Sequence, residues 1–235
     1  MNTTAETTRP IDDVRLSRRL TAEFLGSAGL AAVVVGSGIA ASELSPTDVG
    51  LQLLENAIAT ALGLAVLIVV FAPFGGAQFN PVVTLVDAVS RGRTWSDAAA
   101  YIPTQIAGCI SGAVLANVMF AGPAVSISTT QRLTPATFLS EIVATTGLVL
   151  VIFLLARTER QSVIPWAVGA YIGAAYFFTS STSFANPAIT VGRMFSDTFA
   201  GIAPSSAPGF IGAQLLGATL AVLLLRWMGN PRSHP

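Results

Sequence analysis

The stretch Ser183-Phe184-Ala185-Asn186-Pro187-Ala188 decides the fold of this chain, because it places a helix breaker inside strongly apolar sequence. A shorter copy, Asn80-Pro81-Val82, lies in the first half. Proline fits the first turn of a helix, and asparagine directly before it is a favourable N-cap, so each Asn-Pro pair predicts the start of a short helix. At membrane depth, such a start must line a cavity or be buried in protein. Two breaks at matching places are typical of an inverted-repeat pore or transporter.

The composition indicates a membrane protein. Of the 235 residues, 52% are hydrophobic and only 10% are charged, and the mean hydropathy is +0.68. Soluble domains carry about 25% charged residues, so the composition argues against a soluble fold. The net charge of zero excludes a strongly polybasic surface. We therefore predict a lipid bilayer as the partner, and no nucleic acid.

Cysteine and histidine are too scarce for redox, metal or catalytic chemistry. The single cysteine, Cys109, permits no internal disulfide, and the single histidine, His234, lies in a polar tail. Histidine-based metal sites and catalysis inside the membrane are therefore excluded. The hydroxyl-rich run from Ser180 to Ser183 has no base beside it, which argues against a membrane enzyme. We predict no metal, no cofactor and no enzymatic activity.

Six apolar stretches are long enough to cross a bilayer at about 20 residues each. They cover residues 20–41, 51–72, 98–120, 138–156, 163–182 and 210–228. Two further segments, 81–89 and 187–199, are about half as long, and each begins at an Asn-Pro pair. The predicted fold is an all-α membrane protein with six transmembrane helices and two re-entrant half-helices.

Arginine sets the predicted orientation, because the chain contains no lysine. With both termini in the cytoplasm, every arginine except Arg132 and Arg193 falls on the cytoplasmic side or in a cytoplasmic tail, as the positive-inside rule requires. The predicted location is the cell membrane (plasma or bacterial inner membrane). Residues 1–16 and 229–235 are predicted to be cytoplasmic tails around one channel domain, 17–228.

The two halves of that domain repeat each other. Glu23 and Glu141 each open a first span, and Gln105 and Gln214 each begin a Gln-x-x-Gly motif in a third span. The repeats cover about 17–121 and 135–228. Because each copy has three spans, an odd number, the second copy is predicted to insert upside down.

These residues resemble the aquaporin or major intrinsic protein family, and specifically its aquaglyceroporin type. The resemblance rests on residues 75–84, on residues 183–188, on the Glu-bearing first spans and on the Gln-x-x-Gly third spans, and it covers about 17–228. It implies a right-handed bundle in which the half-helices meet at mid-membrane, and a homotetramer with one pore in each subunit.

The resemblance also implies roles for four side chains. Asn80 and Asn186 would donate N–H groups to a solute in the pore, where two helix N-termini, each equivalent to about +0.5 charge, would disfavour cations. Glu23 and Glu141 would accept hydrogen bonds from the half-helix loops instead of facing the pore.

Three residues depart from the family pattern. Val82 replaces the alanine of the first Asn-Pro-Ala, Gln78 stands where histidine is frequent, and Ile189 stands where many members carry the pore arginine. Arg193, one turn further on, could reach back to the pore, but an i,i+4 pair with Asp197 is the favoured interpretation.

The other positions of the predicted selectivity filter follow from counting along the chain. Counting back from Asn186 gives Ser183. The second-span residue is Leu62, or Thr60 in an ungapped count, and the fifth-span residue is Ala174 or Tyr176. Every combination gives an apolar or weakly polar outer filter.

Such a filter predicts a passive channel for water and small uncharged solutes: glycerol-like polyols, urea, or neutral metalloid hydroxides such as arsenite. The alternative is an ion-coupled secondary transporter that uses the broken helices as its binding site. That alternative needs acidic ligands near the breaks, and the nearest, Asp87 and Asp197, lie toward the far ends of the half-helices.

Overall fold

The computed structural model describes residues 14–90, 92–158 and 160–229, and all regular structure in these ranges is helical. Eight α-helices follow in order: α1 (Leu16–Leu44), α2 (Val49–Gly75), α3 (Pro81–Val89), α4 (Trp95–Met119), α5 (Pro135–Arg157), α6 (Ile164–Phe178), α7 (Pro187–Gly192) and α8 (Ala207–Met228). Most of each predicted tail, including His234, lies outside the described residues.

The predicted all-α membrane fold is confirmed. Helices α1, α2, α4, α5 and α8 are each long and apolar enough to cross a membrane. The remaining predicted span is shorter, because α6 has 15 residues and is preceded by a 3-10 turn over Gln161–Val163. It ends at Phe178 instead of running to residue 182, because the backbone of Thr179 is extended, and Thr182 and Ser183 further on adopt left-handed backbone angles.

Both half-helices begin where the Asn-Pro pairs predict, but the second ends earlier than predicted. α3 has the predicted bounds, whereas α7 ends at Gly192 and passes into a 3-10 turn over Arg193–Phe195. The last carbonyl groups of this turn do not continue the pattern of helical hydrogen bonds. The carbonyls of Met194 and Phe195 instead accept hydrogen bonds from the backbone N–H groups of Ser128 and Ser126. The segment that precedes α5 therefore terminates the second half-helix.

The helices pack as two similar halves. In the first half α1 contacts both α2 and α4, and in the second α5 contacts both α6 and α8. Each half-helix packs against both halves, since α3 and α7 each contact α4 of the first half and α8 of the second. We call the end of the bundle at which α1 and α6 begin face one, and the end at which α5 and α8 begin face two. α3 runs from the centre toward face one, and α7 from the centre toward face two.

Glycines at matching positions let the first and third spans of each half approach closely. A Cβ atom on Gly108 of α4 would lie 2.6 Å from the carbonyl oxygen of Phe24 in α1. A Cβ atom on Gly217 of α8 would lie 2.6 Å from the carbonyl oxygen of Ile142 in α5. No side chain fits at these distances, so each crossing requires a glycine.

Candidate functional site

The two Asn-Pro pairs meet at the centre of the bundle and hold each other in place. The side-chain Nδ2 of Asn80 donates to the carbonyl of Ala185 at 2.8 Å, and the Nδ2 of Asn186 donates to the carbonyl of Phe79 at 2.8 Å. Each Oδ1 also caps its own half-helix by accepting a hydrogen bond from the N–H of Val82 or Ala188. Because an amide nitrogen carries two hydrogens, one N–H of each asparagine remains available to the cavity described below.

The loops before the two asparagines share an unusual backbone conformation. Ala77 and Phe79 before Asn80, and Ser183 and Ala185 before Asn186, all have φ between 47° and 51°. Such angles are uncommon for residues other than glycine and need support from the surrounding structure. They turn the backbone N–H groups of each loop toward the interior of the protein.

Two buried carboxylates supply this support. The Oε1 and Oε2 of Glu23 accept hydrogen bonds from the backbone N–H groups of Gln78 and Phe79, both at 2.8 Å. Glu141 accepts from Phe184 and Ala185 in the same way, at 2.9 Å each. Both carboxylates are fully buried and lie off the cavity wall. They therefore hold the loops in place without contacting the solute path.

A glutamine and a threonine complete each support, and sequence reasoning missed this role. Gln105 Nε2 donates both to Glu23 and to the hydroxyl of Thr84, at 2.8 and 2.9 Å. Gln214 Nε2 donates both to Glu141 and to the hydroxyl of Thr190, at 2.7 and 3.0 Å. Each threonine follows its asparagine by four residues, and this shared spacing was a signal in the sequence.

One cavity of about 640 Å³ passes the two asparagines and reaches toward both faces. Its wall is mainly apolar. Leucine, isoleucine and valine side chains from α1, α2, α5 and α6 line most of it: Leu30, Val34, Leu64, Ile68, Leu148, Ile152, Val168 and Ile172. Polar groups are confined to the centre and the two ends. A solute in this cavity would therefore meet few hydrogen-bonding partners outside those places.

The residues of the two Asn-Pro-Ala-like motifs divide between the cavity and the packed interior. Only Asn80 and Asn186 line the cavity, while Pro81, Val82, Pro187 and Ala188 are buried away from it. Val82 packs in a cluster with Val149 of α5 and residues of α8. The larger side chain at this position is therefore accommodated by helix packing and does not narrow the cavity.

The face-two part of the cavity corrects two of the predicted filter positions. Leu62 does not line the cavity, since its side chain is 59% exposed on the outer surface of α2, and Ala174 is likewise exposed on α6. Thr60 and Tyr176 lie on the wall in their place, and their hydroxyl oxygens are 3.1 Å apart. Of the alternatives considered, Thr60 from the ungapped count in α2 and Tyr176 in α6 are therefore the residues that face the cavity.

Ser183 and Ile189 also lie on the cavity wall at this end. The Ser183 hydroxyl oxygen is buried and has no hydrogen-bond partner among the described residues. Ile189 is 4% exposed and presents a hydrocarbon surface one turn beyond Asn186.

Arg193 lies on the same wall and does not pair with Asp197, which was the favoured interpretation. Its Nε donates to the carbonyl of Ala200, and its guanidinium carbon lies 3.5 Å from the centre of the Phe184 ring. Asp197 instead accepts hydrogen bonds from the backbone N–H and hydroxyl of Thr129. The predicted Arg193–Asp197 pair is therefore wrong, and the guanidinium borders the cavity.

At face one the cavity wall carries a second polar group. The carboxylate of Asp87 accepts a hydrogen bond from Gln78 Nε2 at 2.9 Å and lies 3.5 Å from Arg93 Nε. All three side chains line the cavity. Asp87 is thus neutralised by an arginine near the end of α3, away from the asparagines where a coupling ion would bind.

The structure has the features of a membrane channel. It combines an inverted repeat of apolar helices, two half-helices joined at the centre and a cavity past that junction. The model of the major intrinsic protein family matches residues 11–183, and the chain belongs to that family. It is therefore a channel and not an enzyme.

Individual relatives agree with this assignment. The chain is 50% identical over 216 residues to "Aquaglyceroporin AqpS" of Rhizobium meliloti (strain 1021), and the match covers 92% of each chain. It is 29% identical over 233 residues to the "Glycerol uptake facilitator protein" of Streptococcus pneumoniae (strain ATCC BAA-255 / R6), covering 89% of this chain and 98% of the relative. The fold matches the X-ray structure of the aquaglyceroporin from Plasmodium falciparum with a TM-score of 0.71 and 20% identity, over 89% of this chain and 95% of that one.

Proposed function

We propose that the chain is a passive channel for water and small uncharged solutes, namely glycerol-like polyols, urea and neutral metalloid hydroxides such as arsenite. The observation that carries this proposal is the cavity past Asn80 and Asn186, whose wall is mainly hydrocarbon. Hydrocarbon walls cannot replace the hydration shell of an ion, but they suit the CH groups of a polyol. The names of the two bacterial relatives support the same solute class.

The central junction is proposed to exclude cations. The free side-chain N–H groups of Asn80 and Asn186 and the N-terminal ends of α3 and α7 place partial positive charge at one point of the passage. A neutral solute can accept hydrogen bonds there, whereas a hydrated cation meets an unfavourable potential.

The proposed outer filter lies at face two and consists of Thr60, Tyr176, Ser183, Ile189 and Arg193. Its geometry supports this role because all five residues border the same stretch of the cavity. Ile189 leaves an apolar surface where many family members carry arginine. Arg193 approaches the wall from one turn further along the chain, and its Nε is held by Ala200. The filter thus combines an apolar side for CH groups with hydroxyl and guanidinium donors for solute oxygens.

We further propose that both termini lie in the cytoplasm, that face two is extracellular or periplasmic, and that four copies assemble in the cell membrane. The arginine distribution supports the orientation. Single cysteines introduced in a Cys109→Ser background at Arg18 and at Ala124 should react with a membrane-impermeant maleimide only from opposite sides. Native mass spectrometry in detergent should show a tetramer.

Stopped-flow light scattering on proteoliposomes tests the function. Glycerol should re-swell the vesicles much faster than it re-swells empty liposomes, and ionophores should leave that rate unchanged. Ile189→Trp, which fills the cavity beside the asparagines, provides the blocked control once gel filtration shows that it folds. Ionophore-sensitive uptake would instead support the coupled transporter, and absence of both water and glycerol flux would contradict the channel.

A further inference from the structure

A second cavity lies beside the pore at face two and serves no step of the proposed function. It has a volume of about 200 Å³, and its wall includes Arg132, Arg193, Asn56 and Thr182 together with three apolar residues: Val49, Leu53 and Phe199. At about 30 Å³ for each water molecule in liquid water, it can hold several waters or one small hydrated ion.

Two arginines converge on this side cavity from different segments. The guanidinium carbons of Arg132 and Arg193 lie 5.6 and 3.5 Å from the centre of the same aromatic ring, that of Phe184. They are therefore separated by no more than the sum of these two distances. Arg132 precedes α5 and Arg193 follows α7, so the folded chain brings them together over a wide separation in sequence.

Three consecutive carbonyls fix the two guanidinium groups. Arg132 Nη2 donates to Phe199 at 2.7 Å and Arg132 Nε donates to Gly201 at 2.6 Å, while Arg193 Nε donates to the carbonyl between them, that of Ala200. An arginine carries five N–H donors. The Nη atoms of Arg193 and Nη1 of Arg132 have no hydrogen-bond partner among the described residues, although Arg193 is only 3% exposed.

In the described ranges no carboxylate lines the side cavity or forms an ion pair with either arginine, and Glu141 of α5, which attracts Arg193 electrostatically, lies off this cavity. Elsewhere in the described part of the chain, ion pairs join Arg19 to Asp97 and Arg93 to Asp87. Burial lowers the pKa of Arg132, as expected for a cation that is removed from water. Two like charges in such a place are costly unless an opposite charge joins them.

The remaining polar groups at this cavity are the Thr182 hydroxyl and the Asn56 amide. The Thr182 hydroxyl forms no hydrogen bond with any described residue and can donate one. The Asn56 Nδ2 already donates to the carbonyl of Val34 and to the Ser37 hydroxyl. The site therefore offers two fixed positive charges and a free hydroxyl, which is the chemistry that binds oxyanions.

We propose that the side cavity binds a small tetrahedral oxyanion between Arg132 and Arg193, with Thr182 as a further donor. Arg193 also borders the pore, so a bound anion neutralises part of the charge that faces the passing solute. The proposal concerns binding alone and does not depend on which solute the channel conducts.

Sulfate is the probe for the test, which uses the full-length protein in a detergent free of phospholipid. Isothermal titration at constant ionic strength should show saturable binding of sulfate, and thermal unfolding should shift upward with the same dependence on concentration. Sulfate also stabilises proteins by exclusion from their surface, so the comparison between variants decides the result.

Arg132→Gln should weaken sulfate binding about tenfold, or ~1.4 kcal/mol, because the site loses a charge-assisted hydrogen bond. Arg132 does not border the pore. Thr182→Ala should weaken sulfate binding less than Arg132→Gln does. Because it leaves the arginine–carbonyl hydrogen bonds in place, it tests the site even if Arg132→Gln does not fold. Arg226→Gln, which removes an exposed arginine at face one, should bind sulfate like the wild type.

Equal binding by the wild type, Arg132→Gln and Thr182→Ala, or no saturable binding of either sulfate or short-chain phosphatidylglycerol, would overturn the proposal. A lipid headgroup phosphate has the same chemistry as free sulfate. A response to short-chain phosphatidylglycerol that depends on Arg132, without a response to sulfate, would identify the headgroup as the ligand of this site.

Discussion

The hydroxyl groups of Thr60 and Tyr176 are hydrogen-bonded at 3.1 Å and join α2 of the first half to α6 of the second. Both side chains are buried and both line the cavity near face two. Their hydroxyls form a polar strip on the wall opposite the hydrocarbon surface that Ile189 supplies. This strip provides a partner for water, which has no CH groups to contact the hydrocarbon wall and depends on hydrogen bonds alone.

Tyr176→Phe should therefore lower water permeability more than glycerol permeability. Loss of one hydrogen-bonding site is worth ~1 kcal/mol, which corresponds to about a fivefold change in the rate of water passage. The measurement is the ratio of the two permeabilities in the same proteoliposomes. Tyr171→Phe is the control, because the Tyr171 hydroxyl bonds to the Ala144 carbonyl and does not line the cavity. An equal loss of both permeabilities would mean that Tyr176 acts only through packing.

Ile189→Arg should reduce glycerol passage more than water passage. The guanidinium would add charge and bulk to a part of the wall that is now hydrocarbon and already borders Arg193. A barrier increase of ~1.4 kcal/mol lowers the glycerol rate about tenfold. Ile189→Val is the control, since it keeps the wall apolar. An unchanged ratio of glycerol to water permeability would show that residue 189 does not limit the passage.

Glu23→Gln and Glu141→Gln should destabilise the fold to a similar extent. Each carboxylate accepts two backbone N–H groups with its two oxygens, and an amide would present a donor to one of them. Each unpaired buried N–H costs ~1–3 kcal/mol. Thermal unfolding in detergent measures the effect, and Glu43→Gln on the exposed end of α1 should unfold like the wild type. A large effect at only one of the two sites would contradict their equivalence.

Gly108→Ala and Gly217→Ala should also lower the unfolding temperature. In each case the added methyl group would lie 2.6 Å from a backbone carbonyl, so the helices must separate, and overpacking of this kind costs about 1–3 kcal/mol. Gly212→Ala is a matched control within α8, because its methyl group would meet nothing within 4 Å. If Gly212→Ala destabilised the protein as much, the cause would be the loss of glycine and not the close crossing.

The element pattern was predictable because it depends on local chemistry. The Asn-Pro pairs start α3 and α7 at the expected residues, since a capping asparagine and a proline without an N–H act within one turn. The end of α7 was not predictable, because hydrogen bonds from Ser126 and Ser128 close it, and these residues are distant in sequence. The same holds for Arg193, whose partner Ala200 lies in an irregular segment.

The filter residues show how a small error in alignment changes the result. Leu62 and Thr60, like Ala174 and Tyr176, are two residues apart, which is a rotation of about 200° around a helix. A miscount of two therefore exchanges a cavity-lining residue for one on the outer surface. Hydropathy could not decide between the alternatives, because both sides of a channel helix are largely apolar.

The reciprocal bonds between Asn80 and Ala185 and between Asn186 and Phe79 have the form of contacts in a two-fold symmetric homodimer. Each half of the chain supplies one complete set: a capping asparagine, a glutamate, a glutamine and a threonine. A single half that inserts in both orientations and pairs with its own copy would therefore contain every bond at the junction. Joining two such halves in one gene allows matched positions to diverge, as Gln78 and Phe184 have done at opposite ends of the same passage.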